Sequence, residues 1–279
     1  MLPPVKNKAS GFRLFLMTVI GRSYPRLIGL QREKSWLFFE IFMPMLSVAA
    51  YVFVYRAIGA PEDYIGFVVV GGAMTAFWMN ILWSMSSQLY WEKEQGNLAL
   101  YIIAPGSMMA ILLGMALGGL LSTLLRAVAI IVLGSLAFNV SYVIVSLWQL
   151  LAVFALSIVA LYGLGMMTAS IFLLLSREAW HLANLAMEPI YLVSGMYFPV
   201  KNLGFWTAAV ASIIPLTLGL DAMRQLVFPS GITLGFLSVS LEMAILVILS
   251  VVFLAAARFL LAHIEKLAVR EGRLTENRR

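Results

Sequence analysis

Most of this chain consists of apolar runs of about twenty residues, broken at intervals by short clusters of charge. A helix rises ~1.5 Å per residue, so such a run crosses the ~30 Å hydrocarbon layer of a bilayer. Lipid offers the backbone no hydrogen-bond partner, and a helix satisfies its own. The runs place six predicted spans at residues 36–55, 64–89, 108–138, 147–175, 182–198 and 234–261. Pro44 and Pro189 fall inside two of them, where neighbouring helices can satisfy the freed carbonyls. Gly71, Gly72 and Ala73 give the second span a face suited to close packing.

Composition supports the same class. Of 279 residues 62% are hydrophobic and 11% charged, against about a quarter charged in soluble domains. Mean hydropathy is +0.95. The expected fold is an all-α polytopic membrane protein, one domain over residues 1–279, since no polar stretch is long enough to hold a core of its own. With no cysteine and only His181 and His263, disulfides, thiolate metal sites and a histidine-built metal centre are not expected. The net charge of +6 is spread beside apolar spans, which suits a membrane surface and not nucleic acid.

The polar punctuation sets the topology. Residues 10–34 alternate apolar side chains with Arg13, Arg22, Arg26, Arg32 and Lys34, the pattern of an amphipathic helix lying in the interface, with Pro25 expected to bend it. No small-residue cleavage site follows, so a signal peptide is not expected. Residues 199–230 are apolar but cut by Pro199, Gly204, Pro215 and Pro229 into pieces of roughly a dozen residues, too short to cross. An even number of spans puts the basic tail, 262–279, on the same side as the basic leader. The positive-inside rule therefore favours six spans, a re-entrant apolar hairpin on the outer face and both termini in the cytoplasm.

The break at residues 88–113 carries the functional reading. Glu92, Lys93 and Glu94 are costly in hydrocarbon and belong at or beyond a membrane face. Gly96 and Pro105 bracket roughly eight residues suited to a short helix along that face. Residues 92–107 are read as a handle by which a soluble partner moves the adjoining spans.

Other candidates are weighed singly. Glu188, beside Pro189 in the fifth span, is either a functional carboxyl facing a path or a structural partner of Arg126. Trp78 and Trp83, with Phe77, either line a path for an amphiphile or are packing residues. Glu40 and Glu242 have charge inside apolar runs but no assigned task. Asp221 and Arg224, three apart, are expected to form a local salt bridge steadying the hairpin. No His-Glu-x-x-His and no intramembrane aspartate pair occurs, so no catalytic residue is expected.

In span order the chain resembles the membrane subunits of ABC transporters of the ABC-2 type, a mostly exporting group. The resemblance rests on Glu92, Glu94, Gly96, Leu98, Leu100, Pro105 and Leu113, on Ser194, Gly195, Phe198 and Pro199, and on Pro215, Leu216, Thr217, Asp221, Ala222 and Arg224. Asn97, Ala99 and Ile214 depart from the family pattern. The resemblance implies a cell-membrane permease that pairs with itself or a related chain and docks two ATP-binding subunits on the leader and handle. Glu92 and Glu94 would then meet basic residues of that partner. ATP and Mg²⁺ would be the partner's, because the Gly-x-x-x-x-Gly-Lys-Ser/Thr loop is missing here. The implied activity is outward movement of an amphiphile such as a lipid, drug or glycan carrier. The rivals are a proton-coupled transporter using Glu188, disfavoured because no inverted repeat is found, and a non-transporting scaffold.

Overall fold

In a computed structural model, residues 11–32, 34–104, 106–175 and 178–271 are described, and their regular structure is entirely helical. Among the described residues, five helices are long and apolar enough to cross a membrane, over residues 37–57, 63–94, 108–138, 147–173 and 239–264, or six if the bent pair over 205–211 and 215–227 counts as one crossing. The chain is an all-α polytopic membrane protein.

The helix at the centre is the second span. It runs as α3 (Asp63–Met79), a wider π-helical stretch (Asn80–Ser86) and α4 (Gln88–Glu94). Most of this rod is buried, while α2 (Lys34–Ala57) leaves much of its surface outward, including Phe38, Phe39, Phe42 and Phe53. Small residues let neighbours approach it. A Cβ on Gly71 would lie 1.5 Å from the carbonyl oxygen of Met196, and one on Gly72 would lie 2.2 Å from Val48 Cγ2. The glycines predicted to pack closely therefore sit where α2 and the segment after the fifth span press on α3.

The third and fourth spans, α6 (Met108–Phe138) and α7 (Leu147–Leu175), have the expected bounds. Ser107 caps α6 by accepting a hydrogen bond from the Ala110 amide at 3.2 Å. Asn139 ends it in the left-handed region at φ 55°, a conformation that Asn tolerates better than most residues. The last helix, α12 (Val239–Glu271), packs along α7 and begins five residues later than hydropathy indicated.

Two expectations about the spans need correction. The second span does not stop at Leu89 but continues helically through Glu94, so the charged residues 92–94 form its last turn. No candidate crossing covers the fifth span expected over 182–198: the helix there, α8 (Glu178–Val193), ends before Gly195 at φ +70°. At 16 residues α8 is ~24 Å long, short of the hydrocarbon thickness. The leader is one helix, α1 (Gly11–Arg32), that contains Pro25 without ending there. It packs on the start of α6, where a Cβ on Gly114 would lie 2.6 Å from the Val19 carbonyl oxygen.

The segment after α8 folds back. A 3-10 turn (Val200–Leu203) follows Pro199, then α9 (Phe205–Ala211) and α10 (Pro215–Val227) meet at 112°. Pro215 opens α10 at its first turn, where its missing N–H costs nothing, and Ile214 before it is extended. All of α10 is buried, whereas α9 exposes Phe205, Trp206 and Val210. The short α11 (Gly231–Leu234) leads into α12.

The Asp221–Arg224 salt bridge does not form among the described residues. Arg224 is buried and donates instead to the carbonyl oxygens of Gly195, Phe198 (3.3 Å), Met196 (2.6 Å) and Phe67 (2.8 Å). Asp221 accepts from the Phe236 amide at 2.7 Å and from Gln225 Nε2 at 3.1 Å. Arg224 thus fastens the hairpin to α3 and to the turn after α8.

Candidate functional site

The charged elbow and a cavity beside it lie at the end of the bundle where α1, α4 and the start of α6 come together. The elbow is built from the end of α4, a turn at Gly96 (φ +77°), and the six-residue α5 (Leu98–Ile103). Only a residue without a Cβ takes that turn cheaply. Pro105, expected to stop the short helix, lies outside the described residues, as does Arg177.

Glu92 is not presented to solvent. Its side chain is 6% exposed and serves as the hub of the elbow. One oxygen accepts from Arg22 of α1 and from Gln88 Nε2 at 2.9 Å, and the other accepts from Asn97 Nδ2 at 3.0 Å. The Asn97 amide also donates to the Glu92 carbonyl oxygen at 2.8 Å. Asn97, a departure from the family pattern, therefore has a use here: its amide closes the elbow on both backbone and side chain. The Arg22 guanidinium also lies 5.0 Å from the centre of the Tyr101 ring. The Tyr101 phenol is pushed up to about 12 by burial first and then by its hydrogen bond to Glu92.

This arrangement divides the predicted handle into two sets. Glu92 and Leu98 face inward and bind the elbow to the bundle. Glu94, Gln95, Gly96 and Leu100 are exposed, and Lys93 is half-buried. A carboxylate expected to meet a partner is instead used within the chain, and its own partner, Arg22, was not picked out from the sequence. The signal was available: a basic leader and an acidic elbow assigned to the same membrane face.

Beside the elbow is a cavity of about 940 Å³ between α1, α2, the π-helical stretch, α4, α6 and α8. Asn80, Ser84 and Gln88, four residues apart, give it one polar wall, because the wider π-helical turns bring such positions to one side. The facing wall holds Arg126 of α6 paired with Glu40 of α2. Arg126 also donates from Nε to the Ser122 carbonyl oxygen at 3.3 Å, and from Nη2 to Ser122 Oγ at 3.3 Å and Thr123 Oγ1 at 3.2 Å. The rest of the lining is mostly Met, Pro and aromatic side chains.

Of the path candidates, Trp83 lines the cavity, with its indole N–H 3.1 Å from Met187 Sδ. Trp78 does not line it and is buried in the packing of α3. The side chain of Glu188 lies outside the described residues. Arg126, considered as its structural partner, is held by Glu40, one of two acids left without a task. The other, Glu242 of α12, is fully buried and accepts from Gln225 Nε2 at 3.3 Å, the nitrogen that also serves Asp221. Pro199, Pro215, Asp221 and Arg224 lie away from the cavity, in the hairpin.

None of the curated proteins compared with the chain matches it. A family model does: that of the ABC-2 type transporter covers residues 26–228, from the last turns of α1 through the end of α10. The match takes in the elbow, both polar walls of the cavity and the bent pair α9 and α10, and by it the chain belongs to the ABC-2 type transporter family as a permease component of an ABC transporter.

Proposed function

We propose that this permease moves an amphiphilic substrate outward, and that the force enters through the elbow from a separate ATP-binding subunit. The observation that carries the reading is the Glu92 hub. A soluble motor can move membrane helices only through a part that both protrudes and is tied to them. Glu94, Gln95 and Leu100 protrude, and Glu92 ties the same turn to α1 through Arg22. Because α1 lies along α6, a push on α5 is shared by α1, α4 and α6. Those helices contribute walls to the cavity, so its shape follows the elbow.

In this reading ATP and Mg²⁺ are bound by two partner subunits, and two copies of the chain, or one with a related chain, enclose the path. The termini and elbow face the cytoplasm of the cell membrane, and the hairpin of α9 and α10 faces out. An apolar cavity with polar residues on two walls suits a molecule with a tail and a headgroup.

The chain has no cysteine, so single-cysteine variants report position directly. Cysteine at Leu100 or Gln95 should crosslink to the ATP-binding subunit of the assembled complex, and nucleotide should change the yield. Cysteine at Trp206 of α9 should react with impermeant thiol reagents from the outside of intact cells. Labelling of the position-100 cysteine from outside, or transport by the reconstituted permease alone, would overturn the proposal.

A further inference from the structure

We infer that Glu242 holds a proton at neutral pH, and that this proton joins α12 to the hairpin helix α10 by a hydrogen bond to Asp221. The site lies outside the cavity and the elbow, and it does not depend on the function proposed for them.

The first reason is a count of hydrogens. Gln225 Nε2 lies 2.8 Å from the Leu237 carbonyl oxygen, 3.1 Å from Asp221 Oδ2 and 3.3 Å from Glu242 Oε2. An amide nitrogen carries two hydrogens, so three acceptors compete for them, and Glu242 is the farthest. The Phe236 amide is already committed to Asp221 at 2.7 Å. The other Glu242 oxygen, Oε1, is buried and has no hydrogen bond among the described residues, in a residue with 0% of its surface exposed. The Leu237 amide is also near this carboxyl, but one such neighbour leaves an ionised group, an acceptor at both oxygens, poorly served. A neutral acid fits the same surroundings. Its carbonyl oxygen accepts from Gln225, and its hydroxyl has the Asp221 carboxyl within hydrogen-bonding reach.

The second reason is a count of charges. Arg224 is the cation near the pair, and its single charge balances one carboxylate while its donors go to carbonyl oxygens. The elements packed against α10 and the start of α12 add no other. Neither α7 nor α11 contains a charged residue. At the start of α3, Asp63 is a further acid and accepts from the Ser230 amide at 3.1 Å. Lys201 donates to the Thr233 carbonyl oxygen, the Tyr55 hydroxyl to that of Tyr197, and Arg126 of α6 is paired with Glu40. Arg258 and His263 lie more than four turns further along α12. Two ionised carboxylates beside one cation would leave a buried charge without a counter-ion, and a proton removes it.

The test is infrared spectroscopy of the purified permease in phosphatidylcholine nanodiscs at neutral pH, with and without glutamate labelled by ¹³C at the side-chain carboxyl. A protonated carboxyl has a C=O stretch above the amide band, and the label moves that band when it belongs to glutamate. An ordinary glutamate, with a pKa of about 4.3, is ionised at this pH and contributes none. The wild type should show the label-sensitive band. Glu242→Gln, whose amide resembles the neutral acid, should lose its Glu242 component. Asp221→Asn should keep that component at a shifted frequency, because the proton stays on Glu242 while its acceptor changes. A wild type without any protonated glutamate would overturn the inference whether or not the variants fold. So would a band that folded Glu242→Gln leaves unchanged, or one that Asp221→Asn removes.

Discussion

Replacing Arg22 by Ala tests the Glu92 hub most directly, and the size of the effect follows from burial. Removing one partner of a fully buried ion pair costs about 3–5 kcal/mol, whereas an exposed pair contributes about 0–1 kcal/mol. The Glu92 side chain is 6% exposed and that of Arg22 is 28%, so the pair lies between these limits. After Arg22→Ala the carboxylate keeps Gln88, Asn97 and Tyr101 as donors, and water can enter where the guanidinium was. We expect a loss of about 1.5–3 kcal/mol. Glu92→Gln should cost about the same, because an amide cannot accept from all of these donors at once. If the two side chains act mainly on each other, the double variant should lose less than the sum, with a coupling of about 1–2 kcal/mol. Unfolding in mixed micelles reads the stability cycle. ATP-driven transport by the assembled complex, measured beside its ATP hydrolysis, reads the mechanical role. Hydrolysis should persist while transport falls, since the elbow would still dock but would no longer move α1 and α6. Additive single effects, within about 0.5 kcal/mol, would refute the hub. A fall in transport and hydrolysis by the same factor would refute the relay.

Gly71→Ala places a methyl group 1.5 Å from the Met196 carbonyl oxygen, and backbone does not yield to that extent. The variant should fail to accumulate as folded protein on size-exclusion chromatography, while Gly21→Ala, with nothing within 4 Å, should behave as wild type. Arg224→Met should destabilise by at least about 3 kcal/mol because four carbonyl oxygens lose a charged donor; Arg224→Lys should rescue only part of this, as one ammonium cannot span the same fork. Glu242→Gln should hold stability in thermal melts, since the new amide keeps its place beside Gln225 and can donate to Asp221. For Tyr101, whose phenol is raised to about 12 from an unfolded value of about 10, the contribution to stability is complete below pH ~10. It is lost as pH rises toward 12, because the unfolded chain sheds that proton first; a Tyr101→Phe variant should lack this part of the decline in pH-dependent melts.

How much of this was legible in the sequence depended on whether a feature was local. The bounds of α6 and α7 could be read because the apolar windows end where the caps and breakers begin, as at Ser107 and Asn139. The second span was misjudged at its end because hydropathy marks where lipid stops, whereas α4 stays helical for another turn beyond Leu89 while Glu92 remains shielded by α1. Chemical cost flagged the right kinds of residue: a charge within an apolar run must be paired, and Arg126, Glu40, Glu242 and Arg224 were all visible on that ground. Their partners were not. Several opposite charges sit at a plausible depth for each, and sequence spacing favoured Asp221 for Arg224 and span order allowed Glu188 for Arg126. For Arg224, backbone geometry decided otherwise. The turn after α8 gathers three carbonyl oxygens within reach of one guanidinium, and with the Phe67 carbonyl these four acceptors satisfy a buried cation better than a single carboxylate three residues away. The freed Asp221 then caps the Phe236 amide and shares Gln225 with Glu242. A reading that asks only which charges can neutralise each other will miss this arrangement wherever backbone carbonyls, turned inward by a glycine such as Gly195, can take a counter-ion's place.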